Sequence, residues 1–211
     1  MLDSDLKVFG IGLSRTGTMS LTQALTLLGI RTQHYPNDKR TQDELKAGQY
    51  KLSILQKFQA LTDIPVSPYY AQFDSLFPRS KFILTTRSTD DWLRSVDNHF
   101  QLYVRQRRDE FDDFVFACVY GSLQFNAERF AFVKELHERN CRAYFADRPE
   151  KLLVLDLRQE GDAWGKICSF LGCAVPNEAF PHENKKRTRA AKPLKREGLL
   201  SRVRRKILSA K

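Results

Sequence analysis

The amino-acid sequence predicts a single α/β domain, in which helices flank a parallel β-sheet. Two observations indicate this fold. Short apolar strands alternate with longer stretches of helical periodicity along most of the chain. Near its start, a strand leads through a turn of small residues into a helix, as in many anion-binding α/β proteins. The 211 residues are enough for one such domain with a substantial core.

The individual elements follow from the spacing of the apolar residues. Strands are predicted at residues 6–11, 30–35, 81–86 and 151–157, and helices at residues 18–29, 41–60, 89–105, 109–139 and 162–171. A loop is expected around residues 62–65, and Ser67-Pro68 should begin a short helix. Ser88, followed three residues later by Asp91, predicts a capping box at the start of the helix at residues 89–105.

The first strand–turn–helix unit carries the clearest functional signal. Val8–Ile11 has the apolar character of a buried strand, and the turn that follows is rich in Gly, Ser and Thr. The N–H groups of such a loop, together with the helix dipole, favour a bound anion. Arg15 lies at the mouth of the loop, where a guanidinium group can bind phosphate oxygens in a bidentate manner.

Two widespread phosphate-binding motifs do not fit this loop. The P-loop of nucleoside triphosphatases requires Lys and then Ser or Thr, where this chain has Thr18 and Met19. The dinucleotide fingerprint requires a third glycine where Arg15 stands. The loop is therefore expected to bind phosphate without Mg²⁺. The four cysteines show no metal-ligand spacing, and no metal site is predicted.

A second motif follows the predicted strand at residues 81–86. Arg87 comes directly after this strand, and Ser95 lies eight residues further on, about two turns into the next helix. Ligands of open α/β sheets bind beyond the carboxyl ends of the strands. Arg87 and Ser95 are therefore expected to face the same crevice as the first loop.

Together, the two motifs resemble those of sulfotransferases that use 3′-phosphoadenosine 5′-phosphosulfate (PAPS), and most of all the branch found in bacteria and fungi. The resemblance spans about residues 6–185 and includes Asp63-Ile64-Pro65 and the segment 152–156. It implies a P-loop-like fold and transfer of a sulfuryl group from PAPS, with the desulfated nucleotide PAP as product. The acceptor would be a hydroxyl or amine of a small or glycan-like molecule.

The same resemblance implies roles for individual residues. Arg87 and Ser95 match the residues that hold the 3′-phosphate of the donor. Arg15 stands where the best-known sulfotransferases carry Lys, and it would stabilise developing negative charge. The 5′-phosphosulfate would be held by the loop residues Ser14, Arg15, Thr16, Gly17, Thr18, Met19 and Ser20. His34 and Asp63 are the first candidates for the catalytic base or its orienting partner, and His99 is the third.

The charge of the chain is unevenly distributed. Residues 185–211 contain 12 Lys and Arg and one acid, Glu197, so the net charge of +10 lies in this tail and residues 1–184 are nearly neutral. The tail can form a basic amphipathic helix that docks on the domain, or that binds an anionic membrane or an acidic partner. The body lacks the interleaved basic and aromatic residues of a specific nucleic-acid binder.

Other properties of the sequence limit the expected location of the protein and the alternative functions. The sequence has no apolar run long enough to span a membrane, and its cysteine pattern suits a reducing compartment, so a cytoplasmic location is expected. Two alternatives to a sulfotransferase stay open on the sequence alone. One is a non-catalytic protein that binds a phosphonucleotide on the same fold, and the other is a small-molecule kinase.

Overall fold

A computed structural model describes residues 6–104 and 108–181 of the chain. Its centre is a sheet of five strands in the order β2-β3-β1-β4-β5. The strands are β1 (Val8–Gly10), β2 (Thr32–His34), β3 (Ala60–Thr62), β4 (Lys81–Thr85) and β5 (Leu152–Leu155). Every neighbouring pair is parallel. The predicted class, a single α/β domain with a parallel sheet, is therefore confirmed.

Helices connect the strands and cover both faces of the sheet. They are α1 (Thr18–Leu27), α2 (Lys39–Lys46), α3 (Tyr70–Leu76), α4 (Thr89–His99), α5 (Glu110–Tyr120), α6 (Ala127–Tyr144) and α7 (Ala163–Leu171). A π-helical turn, Phe100–Val104, directly continues α4. Short 3₁₀ turns lie at Ser53–Gln56, Ser67–Tyr69 and Pro149–Lys151.

The core is divided between the two faces of the sheet because successive strand residues point to opposite sides. Phe9 faces an aromatic cluster, where its ring stacks on Phe73 with centroids 4.4 Å apart. Val8 faces the other way and packs with Leu21 and Leu25 of α1. This two-sided burial is the pattern expected for a parallel sheet covered by helices.

Strand β3 is missing from the sequence-based prediction, which extended a helix over residues 41–60. That helix prediction is wrong. Helix α2 ends at Lys46, and Ala60–Thr62 pairs with both β1 and β2. All three residues of β3 are buried, so the segment shows neither the alternation of a half-exposed strand nor enough length to stand out.

Two further details differ from the prediction. The helical stretch expected at residues 109–139 is interrupted at Gly121, whose positive φ of 61° ends α5. The capping box predicted at Ser88 is absent, because the Ser88 side chain accepts no capping hydrogen bond. A capping box forms instead at the start of α5, between Asp109 and Asp112.

The prediction for the basic tail at residues 185–211, including its boundary with residues 1–184, lies outside the described residues. Within residues 6–104 and 108–181, no helix has both the length and the apolar character needed to cross a lipid bilayer.

Candidate active site

The loop between β1 and α1 lies at the carboxyl end of the sheet, beside the end of β4. A side chain at Gly12 would collide with the Thr85 hydroxyl, so only glycine lets the loop pass this close to β4. Gly17 has φ of 114° and Arg15 has φ of 74°, and the latter is unusual for a residue with a side chain. A strained non-glycine residue held in this way is a feature often found at functional sites.

Five consecutive backbone carbonyls of this loop, from residue 11 to residue 15, each accept a side-chain hydrogen bond. The donor–acceptor pairs are His137 Nε2 with Ile11 O (2.8 Å), Ser67 Oγ with Gly12 O (2.7 Å), Thr16 Oγ1 with Leu13 O (2.7 Å), Trp92 Nε1 with Ser14 O (2.8 Å) and Arg87 Nη1 with Arg15 O (3.3 Å). We refer to this set as the carbonyl clamp.

The carbonyl clamp has an electrostatic consequence. It pairs the negative ends of these five peptide groups with donors of the protein, so they are less able to repel an anion in the crevice. The first hydrogen bond of α1 runs from Leu21 N–H to Gly17 O at 3.0 Å, so the amides of Thr18 and Met19 precede it and have no partner within the helix. The loop and the start of α1 thus present a partial positive charge to the crevice.

Asp63 connects the loop to the neighbouring strands. It follows β3 with φ of 74° and is only 5% exposed. Its carboxylate accepts hydrogen bonds from Ser14 Oγ at 2.5 Å, Thr18 Oγ1 at 3.0 Å and the backbone N–H of Ile64 at 2.8 Å. His34 Nε2 lies 3.2 Å from the same carboxylate. Asp63 therefore fixes both the loop and His34.

The ring of His34 is engaged at both nitrogens. Its Nε2 faces Asp63, while its Nδ1 lies 3.2 Å from Thr62 Oγ1 and 3.4 Å from Thr22 Oγ1. An imidazole with both nitrogens held by the protein has no nitrogen left to accept a proton from a substrate in this conformation.

Arginine side chains gather on the other side of the loop. Arg15 Nε donates to Ser95 Oγ at 3.2 Å, so the two residues are joined. The pKa values of Arg15 and Arg87 are both lowered, first by burial and further by the nearby positive charge of Arg158. Arg87 Nε is buried and has no hydrogen-bond partner among the described residues. An anion bound here would relieve both the charge repulsion and the unsatisfied donor.

Arg158 is a site residue that the sequence reasoning missed. It lies just beyond β5, on the same edge of the sheet as the loop and Arg87, and it lines the same cavity. Its position after a strand was a usable signal, because ligands bind off the carboxyl ends of parallel strands.

All nine residues predicted to bind the donor line a single cavity of about 1040 Å³, together with His34, Asp63 and His99. Their exposures differ. Thr16 is buried, and its hydroxyl is used within the fold by Leu13 O and Thr85 Oγ1. Met19 is 37% exposed, while Ser20 is largely buried. These positions bring the predicted residues together, and their individual roles stay predictions.

The far end of the cavity has a different character. His99, at the end of α4, has a pKa lowered by burial and by the charge of Arg15. Tyr35 lines the same cavity, with a φ of 44°, and its hydroxyl donates to the Asp112 carboxylate. Neither Tyr35 nor Asp112 was predicted as a site residue. In the parts of the chain that the structure describes, no group of three or more His, Cys, Asp or Glu side chains is arranged to hold a metal ion.

These features define an α/β protein with a P-loop-like anion site at the carboxyl end of its sheet. The particular family follows from its sequence. A family model described as "Sulfotransferase domain" matches residues 7–189, which is most of the chain. The chain belongs to this sulfotransferase domain family.

Two individual proteins are similar to the chain. "Ava biosynthesis cluster protein M" from Aspergillus versicolor is 25% identical over 218 aligned residues, covering 84% of this chain and 80% of that protein. A crystal structure of a sulfotransferase from Alicyclobacillus acidocaldarius superimposes with a TM-score of 0.53 at 14% identity, over 87% of this chain and 86% of that one. The structural likeness shows the fold. Family membership supports an enzyme with sulfotransferase activity.

Proposed function

We propose that the chain transfers a sulfuryl group from PAPS to a hydroxyl or amine of an acceptor molecule. The observation that carries the proposal is a single cavity lined both by an amide-presenting loop and by a separate set of arginines. A donor with phosphates on both the 5′ and 3′ positions of its ribose needs two such anion sites.

The residues present suit this donor. Thr18 and Met19 would hold the 5′-phosphosulfate through the amides at the start of α1, which have no partner within the helix. Arg87 and Ser95 would hold the 3′-phosphate, and the unpartnered Nε of Arg87 supplies one donor. When bound, PAPS provides the activated sulfuryl group, and the residues of this chain position it.

Arg15 is the residue that stabilises negative charge developing on the bridging oxygen. Its hydrogen bond to Ser95 fixes the guanidinium before the substrate arrives, and such preorganisation lowers the barrier. An Arg cannot donate its proton under these conditions, so its contribution is electrostatic.

We assign His99 to take the proton of the acceptor, because it lines the cavity near Arg15. Both nitrogens of His34 are held by the protein, and Asp63 is occupied by the loop and by His34. His99 lines the same cavity, and burial lowers its pKa below the ordinary value of 6.5, so its imidazole is neutral at pH 7. In this account, His34 and Asp63 position the loop, and His99 accepts the proton.

A transfer assay tests this proposal. The full chain is incubated with PAPS carrying a labelled sulfuryl group, a mixture of alcohols, phenols and amines, and EDTA. Formation of a labelled product together with an equal amount of PAP is the expected result, and Arg15→Ala should abolish most of it. If the wild-type chain neither forms product nor binds PAP, the proposal is wrong.

A further inference from the structure

The cavity has two ends of opposite chemistry. One end is formed by the phosphate loop and the arginines described above. The other end is lined mainly by aromatic and aliphatic side chains, with a carboxylate and a histidine at its edge; these residues are Tyr35, Ile64, Val96, His99, Phe100, Asp112, Phe116 and Tyr120. We call this second end the acceptor lobe, because the donor nucleotide would occupy the arginine end.

Aromatic rings form a continuous wall in the acceptor lobe. The rings of Phe100 and Phe116 lie with centroids 5.1 Å apart, and Tyr120 lies 6.0 Å from Phe116. All three are almost fully buried, so packing fixes the rings and leaves only a small part of each open to the cavity. A rigid aromatic wall favours an aromatic ligand, whose apolar surface is buried on binding. The aromatic wall offers no hydrogen bonds to replace those that the hydroxyls of a sugar lose when they leave water.

A hydroxyl–carboxylate pair marks the edge of this lobe. Tyr35 donates to Asp112, and the second oxygen of Asp112 accepts the N–H of Asp109 at 3.1 Å. No Lys or Arg forms an ion pair with Asp112 within the described residues. Burial and the negative charge of Asp112 both raise the pKa of Tyr35. Among the described residues, this carboxylate at the edge of the acceptor lobe has no Lys or Arg partner, and its negative charge disfavours an anionic acceptor.

From the aromatic wall and this carboxylate, we infer that the acceptor is a neutral or cationic phenol rather than a sugar or an acidic compound. The inference rests on the proposed function and adds the acceptor class. In the reaction, the phenol oxygen forms a bond to sulfur while the bond from sulfur to the 5′-phosphate oxygen breaks. The phenol proton passes to His99, and the products are an aryl sulfate and PAP.

A panel of small acceptors tests the inference with the full chain and PAPS. The phenols are 4-ethylphenol, tyramine and 4-hydroxyphenylacetate, which share a ring and differ in charge, and methyl β-glucoside represents sugars. We expect kcat/KM for 4-ethylphenol and tyramine to exceed those for 4-hydroxyphenylacetate and the glucoside by about tenfold or more, the scale of discrimination that a shaped pocket supplies. Asp112→Asn should reduce the discrimination against 4-hydroxyphenylacetate. Asp43→Asn, on the exposed face of α2, is the matched control and should leave it unchanged.

Binding of PAP, measured separately by calorimetry, distinguishes the two ways in which the test can fail. If PAP binds and the glucoside or the anionic phenol is the better acceptor, the acceptor inference is wrong while the proposed function stands. If PAP does not bind and no acceptor is sulfated, the proposed function itself fails. If PAP binds but nothing in the panel is turned over, calorimetry of the phenols on the PAP-loaded chain decides. Binding of 4-ethylphenol supports the inference, and no binding overturns it.

Discussion

Replacing Trp92 by Phe should weaken nucleotide binding, although Trp92 does not line the cavity. Trp92 is fully buried behind the phosphate loop, and its indole N–H donates to the Ser14 carbonyl at 2.8 Å. Phe keeps an aromatic ring in the core but removes this donor. The Ser14 carbonyl would then lose its partner in the carbonyl clamp and become free to turn toward the anion site.

The chain contains a matched control for this change. Trp164 is also nearly buried, and its indole N–H donates to the Glu178 carbonyl at the same distance of 2.8 Å, but it packs against Cys168 and lies outside the cavity lining. Trp92→Phe leaves the Ser14 carbonyl without its partner, which costs about 1–3 kcal/mol of the free energy of unfolding, whereas Glu178 is exposed and water can replace the indole donor after Trp164→Phe. A loop carbonyl that faces the bound phosphate should cost a further one to two kcal/mol in binding, about a five- to thirtyfold rise in Kd.

The assay pairs thermal unfolding with calorimetric titration of PAP for the wild type and both variants. We expect the loss of stability to be no larger in Trp164→Phe than in Trp92→Phe, and a raised Kd for PAP in Trp92→Phe alone. Equal affinities in the two variants would refute the idea that the carbonyl clamp shapes the anion site. The indole of Trp92 should also change its fluorescence on PAP binding, which the Trp164→Phe variant isolates from the second tryptophan.

The other predictions concern residues that line the cavity. Arg87→Ala should lose about 2–4 kcal/mol of PAP affinity because it removes a charged donor, and Ser95→Ala about 1 kcal/mol because it removes a neutral one. Unchanged Kd values for PAP in calorimetry would contradict the assignment of these residues to the 3′-phosphate. Arg15→Ala should reduce kcat by about 10²–10³-fold while changing the Kd for PAP much less, and a change in PAPS KM alone would argue against its electrostatic role. The neutral form of His99 is the active one, and its pKa is lowered, so kcat/KM should fall only as the pH drops through a value below 6.5 and should stay level above it. If the kcat/KM of His99→Asn still falls at acidic pH in the same way, His99 is not the base.

Local sequence patterns were sufficient to predict that Arg15, Arg87 and Ser95 would line one cavity. The loop after β1 and the residue pair after β4 each lie within one strand–turn–helix unit, so both could be proposed as anion-binding segments without knowing the fold. The parallel arrangement of those units then brings them to one edge of the sheet.

Long-range contacts explain what the sequence did not reveal. The support of the loop by His137 joins residues 126 positions apart, and the Tyr35–Asp112 pair joins residues 77 positions apart. No periodicity links such positions. Strand β3 was missed because three buried residues form no pattern. The engagement of both His34 nitrogens is likewise visible only once β2 and β3 are paired.

The central claim is that the loop and the arginines form one site for a nucleotide with both 5′ and 3′ phosphates, bound without a metal ion. Calorimetric titration of the full chain in EDTA with PAP, and then with adenosine 5′-monophosphate, measures the contribution of the 3′-phosphate directly. A parallel titration with Mg²⁺ and ATP covers the kinase alternative. We predict that PAP binds most tightly, and that adenosine 5′-monophosphate is weaker by about the 2–4 kcal/mol assigned to Arg87. Equal affinity for PAP and adenosine 5′-monophosphate, or tighter binding of Mg-ATP, would contradict the account.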